Sequence, residues 1–279
     1  MKTIVWLASY PKSGNTWLRI FLENLFFGTD EPCDINNLRS SFMSCSLDLF
    51  DRECGWDVSL LSHDEIDRLR PEIYTYIDSQ WENVKYFKTH CAYSFTGSGE
   101  AFFPDKATKA AIYLIRNPLD VCISYAHHRG YSDYDRIIAE MADAASCLCS
   151  DTGQPFWQTR QKILSWSLNV ESWLSVKGFP VLFLRYEDMK NNPYEAFSRV
   201  VAHLGINKSE FEVRQAIKNS SFEELQKQES LNSFKEKPSI SNKFFRYGQN
   251  GMGYAMLSGS QVASIIANHG QVMAQFGYL

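Results

Sequence analysis

The chain has 279 residues, 44% of them hydrophobic and 22% charged, with a formal net charge of -4. These values belong to a globular protein long enough to bury a large core. They exclude a nucleic-acid binder that works through a broad basic surface. The seven cysteines are odd in number and none stands in a C-x-x-C pair, which argues for reduced, mostly buried thiols and against a zinc site.

In chain order, Thr3 to Leu7 (TIVWL) predicts a buried strand and Leu18 to Phe27 (LRIFLENLFF) a buried helix. Between them Ala8 to Trp17 reads ASYPKSGNTW. A strand, a tight turn and a helix make a phosphate cradle, because backbone N–H groups and the helix dipole both face the turn. Gly14 allows a close backbone approach. Lys12 adds a positive charge, and Ser13 and Thr16 add hydroxyl donors. The turn is no Walker A loop, since its Lys precedes its single Gly and the upstream Gly is absent. Pro11-Lys12 also interrupts the N-terminal apolar run before a signal-peptide core could form. No apolar stretch approaches the roughly 18–20 residues that span a bilayer. The expectation is a cytoplasmic chain with no membrane partner.

Asp30 to Tyr86 shows no regular alternation and reads as a cap insertion with a helix near His63 to Arg70. Val84 to Thr89 predicts the second strand and Ala110 to Ile115 the third, with a helix starting at Pro118. Residues from about 130 to 154 read as a second cap. Phe156 to Val176 predicts a long helix, and Val181 to Leu184 a fourth strand. Helices follow from Pro193 to Leu204, Lys208 to Lys218, Phe222 to Gln228 and from about Ser260, with Ser230 to Tyr254 as loop. Apolar strands alternating with helices predict an α/β fold: a mostly parallel sheet covered by helices on both faces, forming one domain over residues 1–279 with caps at about 30–86 and 130–154.

Polar and cationic residues recur at the predicted strand ends, where ligands of open α/β sheets gather. They are the Lys12 turn, Lys88-Thr89-His90, Arg116, and Arg185-Tyr186-Glu187-Asp188. The string Pro11 to Trp17 (PKSGNTW) resembles the loop of the cytosolic-type sulfotransferases, which grips the 5′-phosphosulfate of 3′-phosphoadenosine 5′-phosphosulfate (PAPS). Further matches are KTH at Lys88 to His90, YLIRNPLDVCISY at Tyr113 to Tyr125, LRYEDM at Leu184 to Met189, SSF at Ser220 to Phe222 and FRYGQNG at Phe245 to Gly251. They occur in the family's order from Ala8 to about Gly251.

The resemblance implies a sulfotransferase with PAPS as co-substrate and no metal. It implies His90 as general base, Lys88 beside the transferring sulfuryl group and Lys12 beside the departing phosphate oxygen. Lys12, Ser13, Gly14, Asn15 and Thr16 would hold the 5′-phosphate. Arg116, Ser124, Arg246 and Gly248 would hold the 3′-phosphate, and Trp17, Tyr186, Ser220 and Phe222 would surround the adenine. Tyr247 stands where the family has Lys, and Lys243 is close enough in sequence to replace that cation. His127 and His128 read as helix-end residues. The compact size resembles that of bacterial enzymes that tailor natural products. Tyr93, Phe95, Phe102, Phe103, Tyr131 and Tyr134 suggest an aromatic or amphipathic small-molecule acceptor, attacked at a hydroxyl or an amine. Two other readings are a P-loop kinase or NTPase and a catalytically silent nucleotide binder. The missing Walker A motif argues against the first, and the presence of Lys12, Lys88 and His90 against the second.

Overall fold

The N-terminal apolar run forms β1 (Ile4–Ser9), with every residue buried, and leads through the turn into α1 (Asn15–Phe27). The computed structural model describes residues 2–150, 157–246 and 248–279. After α1 come β2 (Ser41–Met43), α2 (Leu47–Cys54), a 3-10 turn (Val58–Leu60), α3 (His63–Gln80), β3 (Lys85–Thr89), β4 (Thr108–Ile115), α4 (Pro118–Arg129) and α5 (Tyr134–Ala142). The short strands β5 (Cys147–Leu148) and β6 (Gln161–Lys162) form an antiparallel ribbon. They are followed by α6 (Trp166–Leu174), β7 (Val181–Arg185), α7 (Tyr186–Asn191), α8 (Pro193–Leu204), α9 (Glu210–Asn219), α10 (Phe222–Asn232), α11 (Met252–Met256) and α12 (Gly259–Gln275).

The fold is α/β, with an all-parallel five-stranded sheet in the order β2-β3-β1-β4-β7. β1 pairs with β3 from Ile4↔Lys85 to Ala8↔Thr89. A parallel strand covered on both faces needs a continuous apolar run, which β1 has. The chain divides into two compact units, the first of Met1–Tyr10, Phe42–Tyr113 and Asp143–Leu182, the second of Pro11–Ser41, Leu114–Ala142 and Phe183–Leu279.

In the first unit the core is aromatic. Trp6 lies 4.8 Å from both Tyr74 and Phe103 in edge-on contacts, and its Nε1 donates to Thr108 Oγ1 at 2.9 Å. The guanidinium of the buried Arg70 donates to Asp67 Oδ1 at 2.8 Å and to Thr159 Oγ1 at 2.8 Å. In the second unit α1 is buried nearly all round and stacks Phe21 on Phe197 of α8 at 4.1 Å.

Several expected boundaries change. The helix begun at His63 continues through Pro71 to Gln80. A Ser62–Glu65 capping box starts it, and burial of Ile66, Ile73, Tyr74 and Ile77 carries it past the proline. The cap at about 30–86 contains β2, an edge strand of three residues whose pattern is too short to read. The second cap contains α5, which buries Ile137, Ile138 and Met141; residues 151–154 lie outside the described residues. The long helix expected from Phe156 is corrected to α6. Leu164 takes φ +57 and Ser165 caps the helix by accepting from the Leu168 N–H at 3.2 Å, so helical backbone cannot begin earlier; Phe156 itself lies outside the described residues. The expected loop from Ser230 is also shortened, because α10 extends to Asn232 and α11 begins at Met252.

Two stability measurements follow. Trp6→Ala is expected to lose about 3–5 kcal/mol in urea unfolding, from the emptied volume and the orphaned Thr108 contact. His269, 2% exposed on α12, has its pKa lowered to about 4 by burial. The unfolded chain takes up that proton near pH 6.5 and the folded chain does not, so stability is full above about 6.5 and declines as pH falls toward 4. The slope reaches about 1.4 kcal/mol per pH unit for this group. His269→Gln is expected to flatten that part of the unfolding profile.

Candidate active site

The second unit contains the turn between β1 and α1. Lys12 has φ +67 and Gly14 φ +102, so the chain reverses through two left-handed residues before α1 begins. By helix geometry the first N–H groups of α1 have no intrahelical acceptor. Gly14 has a second constraint: a Cβ there would stand 2.7 Å from Cδ2 of Tyr186. Lys12 Nζ lies 4.0 Å from the centre of the Phe244 ring, a cation–π contact. The buried Ser13 Oγ and Trp17 Nε1 make no hydrogen bond among the described residues.

Arg116, at the end of β4, reaches back to this turn. Its Nη1 donates to Lys12 O at 3.2 Å and its Nη2 to Gln249 O at 3.2 Å. Its guanidinium lies 4.3 Å from the Tyr186 ring centre, and its buried Nε has no partner among the described residues. Tyr186 is edge-on to Trp17 at 5.9 Å, and burial raises its phenol pKa, with Arg116 opposing. Gly248 has φ +55, and a Cβ there would collide with the Phe222 ring at 2.6 Å. Lys190 Nζ lies 5.3 Å from the Phe222 ring and 5.8 Å from the Trp17 ring. Trp17, Phe222 and Phe244 all border the buried cluster of Ile20, Ile35, Leu225, Phe234 and Phe245.

The other predicted residues of this unit fare differently. Ser124 is half-buried within α4 and Arg246 is half-buried in the late loop. Ser220 lies at the end of α9. It is fully buried, and its hydroxyl donates to Ala216 O at 2.7 Å and Ile217 O at 3.3 Å, closing the end of α9. Lys243 is exposed, and Tyr247 lies outside the described residues. His127, in the last turn of α4, bonds through Nε2 with Ser241 Oγ at 2.9 Å; burial lowers its pKa.

The first unit holds Lys88 in β3, opposite Leu7, and His90 just beyond the strand. His90 Nδ1 lies 2.8 Å from Ser9 O. Nδ1 also lies 3.2 Å from Ser9 Oγ; a carbonyl only accepts, so the contact with Ser9 O is a hydrogen bond in the tautomer with its hydrogen on Nδ1 and its lone pair on Nε2. Asn169, fully buried, donates to His90 O at 3.1 Å and accepts from Tyr113 Oη at 2.7 Å. Of the aromatics expected to line an acceptor cleft, Phe102 and Phe103 are core, 1% and 2% exposed. Tyr93 and Phe95 meet edge-on at 5.6 Å, with Phe95 exposed.

Sequence reasoning passed over Asp120, Glu229 and Phe244, and gave Glu187 no role beyond its place at a strand end. Glu187 accepts from the Asn117 N–H at 3.0 Å and from Tyr278 Oη at 3.0 Å, and burial raises its pKa. No local signal marks their contacts, because the hydrogen-bond partners of the three acids lie 15 to 133 positions away and Phe244 meets Lys12 from the other end of the chain. The Gly14–Tyr186 approach gives a direct test. Gly14→Ala is expected to lose at least about 1–2 kcal/mol in urea unfolding from the left-handed backbone alone. Adding Tyr186→Ala is expected to recover the part due to the ring collision.

Residues 2–277 match the family model of the Sulfotransferase domain, and the match runs through both units. The chain is 28% identical over 266 residues to flavonol 3-sulfotransferase of Flaveria bidentis, covering 88% of this chain and 74% of that protein. It is 26% identical over 230 residues to sulfotransferase 1E1 of Bos taurus, covering 81% and 67%. Mouse sulfotransferase SULT7A1 complexed with PAP (3′,5′-adenosine bisphosphate) shares the fold, with a TM-score of 0.63 at 20% identity over 98% of this chain and 85% of that one. So does retinol dehydratase in complex with androsterone and inactive cofactor PAP, with a TM-score of 0.60 at 17% identity over 98% and 81%. The chain belongs to the sulfotransferase family.

Proposed function

We propose that this sulfotransferase moves a sulfuryl group from PAPS to a hydroxyl, or an amine, of a small-molecule acceptor. The carrying observation is the set of buried donors without acceptors among the described residues: Ser13 Oγ, Trp17 Nε1 and Arg116 Nε. Leaving buried donors unmade is costly; a 5′-phosphate at the start of α1 would take up Ser13 Oγ, and the rest of the same donor nucleotide would lie against Trp17 and Arg116. The two structures of the same fold hold PAP, and we extend that ligand to this chain.

In this reading Lys12, Ser13 and the backbone N–H groups of Gly14, Asn15 and Thr16 hold the 5′-phosphate. Arg116, Ser124, Arg246 and Gly248 hold the 3′-phosphate, and Trp17, Tyr186 and Phe222 flank the adenine. The acceptor oxygen attacks sulfur, the bond from sulfur to the 5′-phosphate oxygen breaks, and the acceptor proton passes to His90 Nε2. The products are the sulfated acceptor and PAP. Lys88 and Lys12 offset the charge on the sulfuryl and phosphate oxygens. The hydrogen bond from Nδ1 to Ser9 O supports the base role, since it leaves the lone pair on Nε2. Tyr93 and Phe95 support an aromatic or amphipathic acceptor. The whole chain acts as one catalytic domain, on the strength of a family match that spans it. Among the described residues no helix is long and apolar enough to cross a membrane, and a relative is named cytosolic sulfotransferase 13 of Arabidopsis thaliana; we assign this chain the same compartment.

Thermal unfolding with PAP, AMP, or ATP plus magnesium tests the donor. Binding to the native state alone raises apparent stability in proportion to RT ln(1 + [L]/Kd), so a shift selective for PAP is expected. A shift with ATP and magnesium alone would overturn the reading in favour of a kinase. His90→Ala is expected to lower kcat by roughly 10²–10⁴ while keeping the PAP shift. Full turnover in that variant would remove His90 as the base.

A further inference from the structure

Two buried carboxylates hold the late loop by its backbone from opposite ends. On α10, Glu229 accepts from the Phe244 N–H through Oε1 at 2.6 Å and from the Phe245 N–H through Oε2 at 2.9 Å. On α4, Asp120 accepts from the Gly251 N–H through Oδ2 at 2.9 Å and from the Gly253 N–H through Oδ1 at 2.7 Å. Both side chains are in the interior, 8% and 2% exposed. Between the two grips lie Arg246, Gly248 and Gln249, and the Gln249 carbonyl accepts from Arg116 at 3.2 Å. Gln226, one helical turn before Glu229, donates to Phe245 O at 2.9 Å and Arg246 O at 3.0 Å.

We infer that Asp120 and Glu229 are positioning residues for donor binding, each clamping one end of the loop that carries Arg246 and Gly248. The inference rests on the donor reading above. A carboxylate that takes two amides with its two oxygens fixes both position and orientation, and bonds to an ionised acceptor are stronger than neutral ones. Neither residue needs to touch the donor. Their effect passes through the loop, whose shape Gly248 and Phe222 constrain further, with the ring where a Cβ would be. Close packing of Gly253 on Leu119, where a Cβ would come within 2.5 Å of backbone, seats the trailing end on the same helix that supplies Asp120.

The test uses Asp120→Asn and Glu229→Gln, which keep the shape and replace one acceptor oxygen by a donor. Each is expected to raise the calorimetric Kd for PAP by roughly tenfold, and the KM for PAPS with it. The kcat at saturating donor and the KM for acceptor are expected to stay within about twofold of wild type, a split that general destabilisation would not produce. Val272→Ala on α12 serves as the comparison, with lowered thermal stability and an unchanged Kd. Amide hydrogen exchange gives a readout without ligand: exchange at Gly251 and Gly253 should quicken in Asp120→Asn while α12 keeps its protection. Should either variant fail to fold, Gln226→Ala removes only the two carbonyl bonds and should weaken PAP binding in the same direction. Folded variants that bind PAP as wild type does, or that lose kcat alone, would overturn the clamp. A wild-type protein that does not bind PAP would sink the donor reading, and the exchange rates would still decide the clamp.

Discussion

Tyr186 lies so close to Gly14 that no other residue fits there. A Cβ would stand 2.7 Å from the ring, in a backbone at φ +102 that L side chains rarely adopt. That one approach ties three segments together. The turn after β1 stays thin at this point, Tyr186 starts α7 against it, and the Arg116 guanidinium lies 4.3 Å from the centre of the same ring. With Lys12 O accepting from Arg116 at 3.2 Å, the turn, the residue after β4 and the start of α7 are joined in one connected assembly, the one proposed above to receive the donor's phosphates. It is preorganised, because its donors are already buried before any acceptor arrives.

Charge is used in a consistent way around this assembly. Buried acids are directed to backbone amides: Asp120 to Gly251 and Gly253, Glu187 to Asn117, Glu229 to Phe244 and Phe245, and Glu23 to Ser40 at 2.7 Å. The basic groups Arg116 and Lys12 lie over aromatic rings. Carboxylates bonded to amides shape loops, and cations on ring faces keep their charge available to an incoming anion. This is how a chain of net charge -4 can present a cationic site. The bulk charge excluded a broad basic surface but could say nothing about one focused spot.

The candidate site was proposed from signals that are local. The strand, the Lys-Ser-Gly turn and the following helix are adjacent in the chain, and so are Lys88 and His90. The unread part is of two kinds. Helix ends at Gln80 and at Trp166 depend on burial of Ile73 and Ile77 and on the left-handed Leu164, neither of which local periodicity reports. Ser220 and the pair Phe102 and Phe103 carried the right residue types for a binding role. Their depth in the fold is a tertiary property.

By itself the sequence determined the α/β pattern, the strand–turn–helix corner around Pro11 to Trp17 and which residues are candidates for chemistry. These follow from hydrophobic period and from short-range backbone geometry, which adjacent residues impose on each other. Tertiary structure alone brought His90 Nδ1 within 2.8 Å of Ser9 O, 81 positions away. It also decided that Tyr186 closes over Gly14 and that Asp120 and Glu229 grip the late loop. Each of these is a contact between groups far apart in the chain, and no local pattern encodes a partner that only folding brings within reach.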